Sequence, residues 1–197
     1  MDLGTLATAF ALIFPVELPD KTFVATLVLA TRYRPLAVWL GVVAAFAVQS
    51  GIAVLAGQLL GALPDRPVRF VAAALFALGA IVLFRQARAP VEVDEGEYAG
   101  KPAADRGGWR AAGTSFVVLF TAEWGDLSQL LTAGLVASGK PALPVFFGAW
   151  AALACVSGLA VLVGRVLLRR VKLSLVRYLA AAVCTALAVI TIVGAVT

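Results

Sequence analysis

The chain contains no histidine, and its one methionine is the first residue. That removes imidazole and thioether as metal ligands and histidine as a proton relay. Charge is also scarce. Asp, Glu, Lys and Arg make up 14% of the 197 residues, against about 25% in an ordinary soluble domain. There are two cysteines, Cys155 and Cys184, both inside apolar runs. They indicate neither a disulfide framework nor a zinc site, and read as small packing residues. No basic cluster precedes the first apolar run, so that segment reads as a retained helix and not as a secretory leader.

What the chain has in quantity is apolar sequence, 62% of it, in stretches near or above the length of about 20 residues that spans a bilayer as a helix. A membrane β-barrel would instead show short alternating segments. Six spans are predicted, at about 4–30, 36–62, 67–84, 111–137, 142–167 and 173–196. The net charge of +5 could suggest nucleic acid, but the basic residues sit at helix ends, where they orient a membrane protein; no nucleic-acid partner is expected. Between spans three and four, residues 85–110 gather Glu92, Asp94, Glu95, Glu97 and Asp105 among prolines and glycines, and read as a solvated acidic cytoplasmic linker.

An internal repeat is visible. Phe10, Phe14, Glu17 and Asp20 recur as Phe116, Phe120, Glu123 and Asp126, Ser50 to Gly57 recurs as Ser157 to Gly164, and Val68 to Ala74 recurs as Val176 to Ala182. Three spans per copy is an odd number, so the second copy must enter the membrane from the opposite side. The fold class expected is therefore all-α integral membrane, six transmembrane helices as two inverted three-helix repeats. Residues 1–84 form the first repeat, 85–110 the linker and 111–197 the second repeat. Of the basic residues in the loops and at the span ends beside them, 12 lie on the side of the loops after spans one, three and five and 3 on the other side. The positive-inside rule then puts the first set in the cytoplasm and both termini outside it.

Almost all the charge kept within the spans lies in two motifs, Glu17-Leu18-Pro19-Asp20-Lys21-Thr22 and Glu123-Trp124-Gly125-Asp126-Leu127-Ser128-Gln129. A carboxylate at the centre of an inserted helix costs about 2.5–3.5 kcal/mol, so four facing lipid would cost on the order of 10 kcal/mol. Such groups face a cavity and mark an ion or proton path. Residues three apart share a helical face, which pairs Glu17 with Asp20 and Glu123 with Asp126. A pseudo-two-fold axis could bring the pairs together. Thr22, Ser128 and Gln129 add neutral oxygens, giving an all-oxygen site suited to Ca²⁺, Mn²⁺ or Mg²⁺. Crowded carboxylates also take up protons, a basis for exchange. Lys21, the only basic residue set deep within a span, reads as a charge-balancing partner of the acids. A purely structural ion-pair network fits less well, since one Lys cannot balance four carboxylates. Pro15 and Pro19 disturb the helix of span one, and Gly125 is the softer counterpart in span four; either they free carbonyls that can bind a cation beside a cavity, or the prolines make a simple kink. Gln49 could line the cavity or bond between helices.

The two motifs resemble those of the Golgi calcium/manganese transporter (Gdt) family, whose members carry Glu-x-Gly-Asp-(Lys/Arg)-(Thr/Ser) once in each three-helix half, around an acidic central loop. The resemblance covers nearly the whole chain. It implies exchange of Mn²⁺ or Ca²⁺ for protons, with the motif carboxylates Glu17, Asp20, Glu123 and Asp126 as ligands. The cation is then the transported substrate, and no permanently bound cofactor is expected. Two positions depart from the pattern: Pro19 stands where the family has Gly, and Leu127 where it has Lys or Arg. The expectation is a secondary transporter, not an enzyme, in the lipid bilayer of a bacterial cytoplasmic membrane, exporting its cation. An exporter of a small organic cation or amino acid is the alternative, which four clustered carboxylates disfavour. No nucleophile–base pair supports a membrane enzyme, and the intramembrane acids argue against a scaffold.

Overall fold

A computed structural model describes residues 2–18, 21–62, 65–88, 108–170 and 173–196. The expectations placed on Pro19, Asp20, the Lys21 side chain and most of the 85–110 linker fall outside what it describes.

Among the described residues the chain is helical, with eight helices and no strand. They are α1 (Leu3–Glu17), α2 (Lys21–Arg32), α3 (Pro35–Gly61), α4 (Asp65–Arg88), α5 (Gly108–Ala122), α6 (Leu127–Ala137), α7 (Ala142–Arg170) and α8 (Leu173–Val196). The interrupted helices predicted over 4–30 and 111–137 are each two separate helices, α1 with α2 and α5 with α6. At 1.5 Å per residue, the 15 residues of α1 reach about 22 Å, short of the ~30 Å hydrocarbon core, so no half-helix is long enough to cross it alone. Among the described residues, α3 and the Ala142–Leu162 part of α7 are each long and apolar enough to cross a membrane alone.

The ends of the helices follow from their composition. Asp2 caps α1, its carboxylate accepting from the Gly4 and Thr5 backbone N–H groups and the Thr5 hydroxyl. These bonds hold its pKa below the ordinary carboxylate value, the Thr5 hydroxyl contributing most. Pro35 opens α3, where its missing N–H costs nothing.

Contacts repeat between the halves. α1 packs on α7 as α5 packs on α3, and α4 packs along α8. A Cβ on Gly148 would run into the Leu6 carbonyl oxygen, and one on Gly41 into the Ala112 carbonyl oxygen; the two contacts join matching positions of the repeat. The Phe10–Phe14 and Phe116–Phe120 ring pairs stack alike, at 5.4 and 5.6 Å. Trp39 donates to the Ala154 carbonyl and Trp150 to the Val43 carbonyl, while Gly51 lies against Phe146. As the α3 number rises in these contacts the α7 number falls, so α3 and α7 run antiparallel. α1 and α7 therefore begin at one end of the bundle, and α3 and α5 at the other.

The interior is apolar, built from Leu12 and Ile13 of α1, Val38, Val42 and Phe46 of α3, Leu119 of α5, Leu131 of α6 and Val145 of α7. The exterior is apolar as well: Leu36, Leu55, Leu59, Leu162 and Ile190 are all exposed. Water would penalise so much exposed apolar surface and a lipid environment would not.

Candidate cation site

The site forms where α1 and α5 stop. A helix end leaves carbonyls without intrahelical partners, and the end of α5 has specific replacements for them. Phe120 would ordinarily accept from the N–H of residue 124, but that N–H turns to the Thr121 carbonyl. The side-chain amide of Gln49, on α3, donates to the Phe120 carbonyl instead, at 3.0 Å. The chain then reverses through Gly125 at φ +75°, a conformation that costs residues with a Cβ about 1–2 kcal/mol. Asp126 is extended and starts α6, its carbonyl accepting from the N–H groups of Gln129 and Leu130. Its side chain makes no capping bond to that helix.

Gln129 spans the break. Its amide nitrogen donates to the Glu123 carbonyl at 2.8 Å, and its amide oxygen accepts from the Gly125 N–H at 3.3 Å. One side chain thus clasps the loop on both sides of Trp124. Sequence reasoning took Gln129 for a neutral ligand. In the structure its amide is engaged at both ends in holding the loop, because the break frees a carbonyl and an N–H within its reach.

The break brings the acids together. Glu17 is 1% exposed and Glu123 3%, and Asp126 is half-buried. One carboxylate oxygen from each of the three lies within 4.8 Å of the others. Glu17 comes from the first half and the other two from the second. A Ca²⁺–oxygen bond of about 2.3–2.6 Å lets two oxygens on one ion lie up to about 4.6–5.2 Å apart, so three oxygens within 4.8 Å of one another are close enough to share one ion. Glu123 and Asp126 come together by a route other than the one their spacing of three predicts. They do not share a helical face, because Asp126 lies beyond the end of α5; the turn at Gly125 carries it back. Glu17 is likewise the last residue of α1, and Asp20 lies outside the described residues.

Thr22 and Ser128 occupy matching places in the first turns of α2 and α6, and both are buried. The N-termini of these two helices favour negative charge nearby, which helps hold carboxylates at the junction. α1 ends at Glu17 and α5 just before Glu123, and the carbonyl end of a helix carries partial negative charge that favours a cation. Two buried polar residues were not singled out from sequence as what they are. Gln49 bonds a freed carbonyl, one of the two roles left open for it. Thr26, one turn beyond Thr22 and fully buried, had only its polarity within an apolar helix to mark it.

Several known proteins resemble this chain along most of its length. GDT1-like protein sll0615 of Synechocystis sp. is 36% identical over 148 residues, which are 69% of this chain and 72% of that protein. GDT1-like protein 1, chloroplastic, of Oryza sativa subsp. japonica is 33% identical over 218 residues, 98% of this chain and 64% of its own length. Protein PAM71, chloroplastic, of Arabidopsis thaliana is 33% identical over 191 residues, 84% of this chain and 51% of its own. The chain thus spans less than two thirds of the length of these plant relatives. No solved structure shows significant similarity to it. The model of the family described as divalent cation/proton antiporter GDT1 matches residues 5–90 and 111–197, skipping the acidic segment between. The match takes in both acidic motifs and nearly all of the helical chain, which belongs to this family of membrane transporters.

Proposed function

We propose that this chain exchanges a divalent cation, Mn²⁺ or Ca²⁺, for protons and exports the cation from the cytoplasm. The observation that carries the reading is the meeting of Glu17, Glu123 and Asp126 oxygens within 4.8 Å in a largely apolar interior. Three carboxylates so close repel one another when ionised. Either a divalent cation or protons relieve that repulsion, so binding one favours release of the other. Asp20, in the motif of the first half, is the fourth ligand of this reading. Ser128 and Thr22 supply neutral oxygens, Lys21 offsets part of the negative charge, and Gln129 positions the loop. The small separation of the oxygens suits a bare ion better than an organic cation or amino acid.

The same reading takes the chain as six spans in two inverted repeats, 1–84 and 111–197, joined by a cytoplasmic linker at 85–110. The reciprocal glycine contacts and the antiparallel course of α3 and α7 support inversion. α1 with α2, and α5 with α6, then each make one span broken near mid-membrane. The coulombic effect of Lys140 on Asp2 supports a shared outer end for the start of α1 and the turn after α6. With both termini outside, the basic loops face the cytoplasm of a bacterial cell.

The test is metal-dependent proton flux in proteoliposomes carrying the purified protein. Wild type is expected to move protons against an imposed Mn²⁺ or Ca²⁺ gradient. Glu17→Gln, Glu123→Gln and Asp126→Asn should each lower flux by about 100-fold or more, since even groups that only support metal ligands are worth about 10–100-fold. All three should still insert, because removing a charge makes insertion cheaper. Flux at the wild-type rate from a folded Asp126→Asn protein would sink the site, and wild-type protein moving no protons would sink the function.

A further inference from the structure

Two hydroxyls on α2 stand out by their bonding. Thr22 and Thr26 are both 0% exposed, and neither Oγ has a hydrogen-bond partner. A buried hydroxyl left unsatisfied costs about 1–3 kcal/mol, and in a helix the usual remedy is a bond back to the carbonyl four residues earlier. Other threonines of this chain take it: Thr8 bonds to Gly4, Thr121 to Val117, Thr132 to Ser128, Thr185 to Ala181 and Thr191 to Leu187, at 2.6–2.8 Å. Thr132 is the residue of α6 that matches Thr26. Thr26 could use the Thr22 carbonyl in the same way and does not, so its Oγ is turned off the helix's own ladder.

The rest of α2 indicates where that oxygen lies. Phe23 and Leu27 pack with Val156 and Ala160 of α7. Ala25 and Leu29 belong to the main core. At 100° per residue, Thr22 and Thr26 fall between those two faces, on a strip of the helix that is buried but not given over to apolar packing. They sit one turn apart, about 6 Å along the axis, and lead from the carboxylates toward the end of α2 at Arg32.

We infer that Thr26 lines the passage by which the cation travels between the carboxylates and the Arg32 end of α2, its hydroxyl supplying a neutral oxygen one turn beyond Thr22. The inference rests on the exchanger reading above. Hard cations accept neutral oxygens as well as carboxylates, and an ion leaving the acids needs replacements for them before it reaches water. A hydroxyl does not titrate in this range. Its loss therefore slows passage without altering the competition of metal and protons at the acids.

Three variants test this in proteoliposomes, each with metal flux and the pH dependence of metal affinity measured on the same preparation. Thr26→Val keeps the shape and removes the oxygen. It is expected to lower flux by on the order of 10-fold, which is about 1.4 kcal/mol on the barrier, with affinity and its pH profile unchanged. Thr26→Ser restores the oxygen and should restore most of the rate. Thr191→Val removes a hydroxyl that bonds only to its own helix and should transport as wild type. A Thr26→Val protein that transports at the wild-type rate overturns the inference. So does one whose affinity falls as far as its flux, or one that Thr26→Ser does not rescue, since both mark a structural role. Wild-type protein with no metal-dependent flux overturns the exchanger reading and this one with it.

Discussion

The two halves break their first helix at matching positions but secure the second break with residues the first half does not have. In the second half the amide of Gln129 bonds both sides of the loop, and Gln49 of α3 bonds the carbonyl that the break frees. In the first half the matching positions are Phe23 and Val156, and these two pack together in an apolar cluster with Ala160. One junction is thus held by hydrogen bonds to its backbone from a residue of its own half and from a residue of the other half's long helix, while the same two places beside the other junction make an apolar contact. The residue at the turn differs as well. Gly125 stands at φ +75°, and the residue at its matching position is Pro19, whose ring fixes φ near about −65°. The two sequences therefore meet one requirement, a helix interrupted beside carboxylates, by different chemistry. Duplicated elements need to agree in what they deliver to the site and not in how they are held.

The sharpest way to break this comparison is to force one solution onto the other half. Gly125→Pro cannot adopt the positive φ and should be the most damaging of these changes. It should destabilise the protein by about 3 kcal/mol or more and abolish flux, read as a drop in melting temperature in detergent and as proteoliposome transport. Pro19→Gly imposes no forbidden conformation and should leave most of the transport. Equal tolerance of both changes would show that the difference between the junctions does not matter to the site.

The next effect in size concerns the clasp. Gln129→Leu leaves the Glu123 carbonyl and the Gly125 N–H without a side-chain partner, at a cost of about 1–3 kcal/mol, and loosens the loop that carries Asp126. Metal affinity is expected to fall with stability. Phe23→Leu removes apolar contact but no hydrogen bond. It should cost less than about 1.5 kcal/mol, as near-conservative core changes do, and leave affinity close to wild type. Calorimetric metal titration of both variants separates the cases, and a larger affinity loss in Phe23→Leu would reverse the roles assigned to the two junctions.

Much of this was legible in the sequence. The predicted spans at 36–62, 67–84, 142–167 and 173–196 lie close to α3, α4, α7 and α8, because long apolar runs bounded by Pro, Gly or basic residues leave little choice of boundary. Glu17, Glu123 and Asp126 stood out because charge in an apolar run is costly, and that argument needs no knowledge of the fold. What was misread depended on the path of the backbone. Spacing of three suggested a shared helical face for Glu123 and Asp126, and only the turn at Gly125 shows that a loop does that work. The role of Gln129 follows from which carbonyl and N–H the break frees. The orientation of Thr26 is a rotamer choice that composition does not record.

The smallest expected effect concerns position 127, where the halves differ in charge. Leu127 matches Lys21. It does not simply face lipid: it is half-buried against the core, and a Cβ on Gly79 of α4 would lie 3.3 Å from its side chain. A lysine there would begin among protein contacts, next to Asp126, although its long stem could carry the ammonium away from the site. With Glu17, Asp20, Glu123, Asp126 and Lys21 all ionised the set sums to −3, and a second lysine makes it −2. A less negative site attracts divalent cations less and holds protons less tightly. Leu127→Lys should therefore bind metal more weakly at high pH, and its affinity curve should begin to fall at a lower pH than that of wild type. The displacement should be about one pH unit, worth about 1.4 kcal/mol between the two protonation states. Metal affinity measured against pH for the two proteins decides it. Superimposable curves would mean that residue 127 does not feel the carboxylates, and the difference in charge between the halves would then have no bearing on exchange.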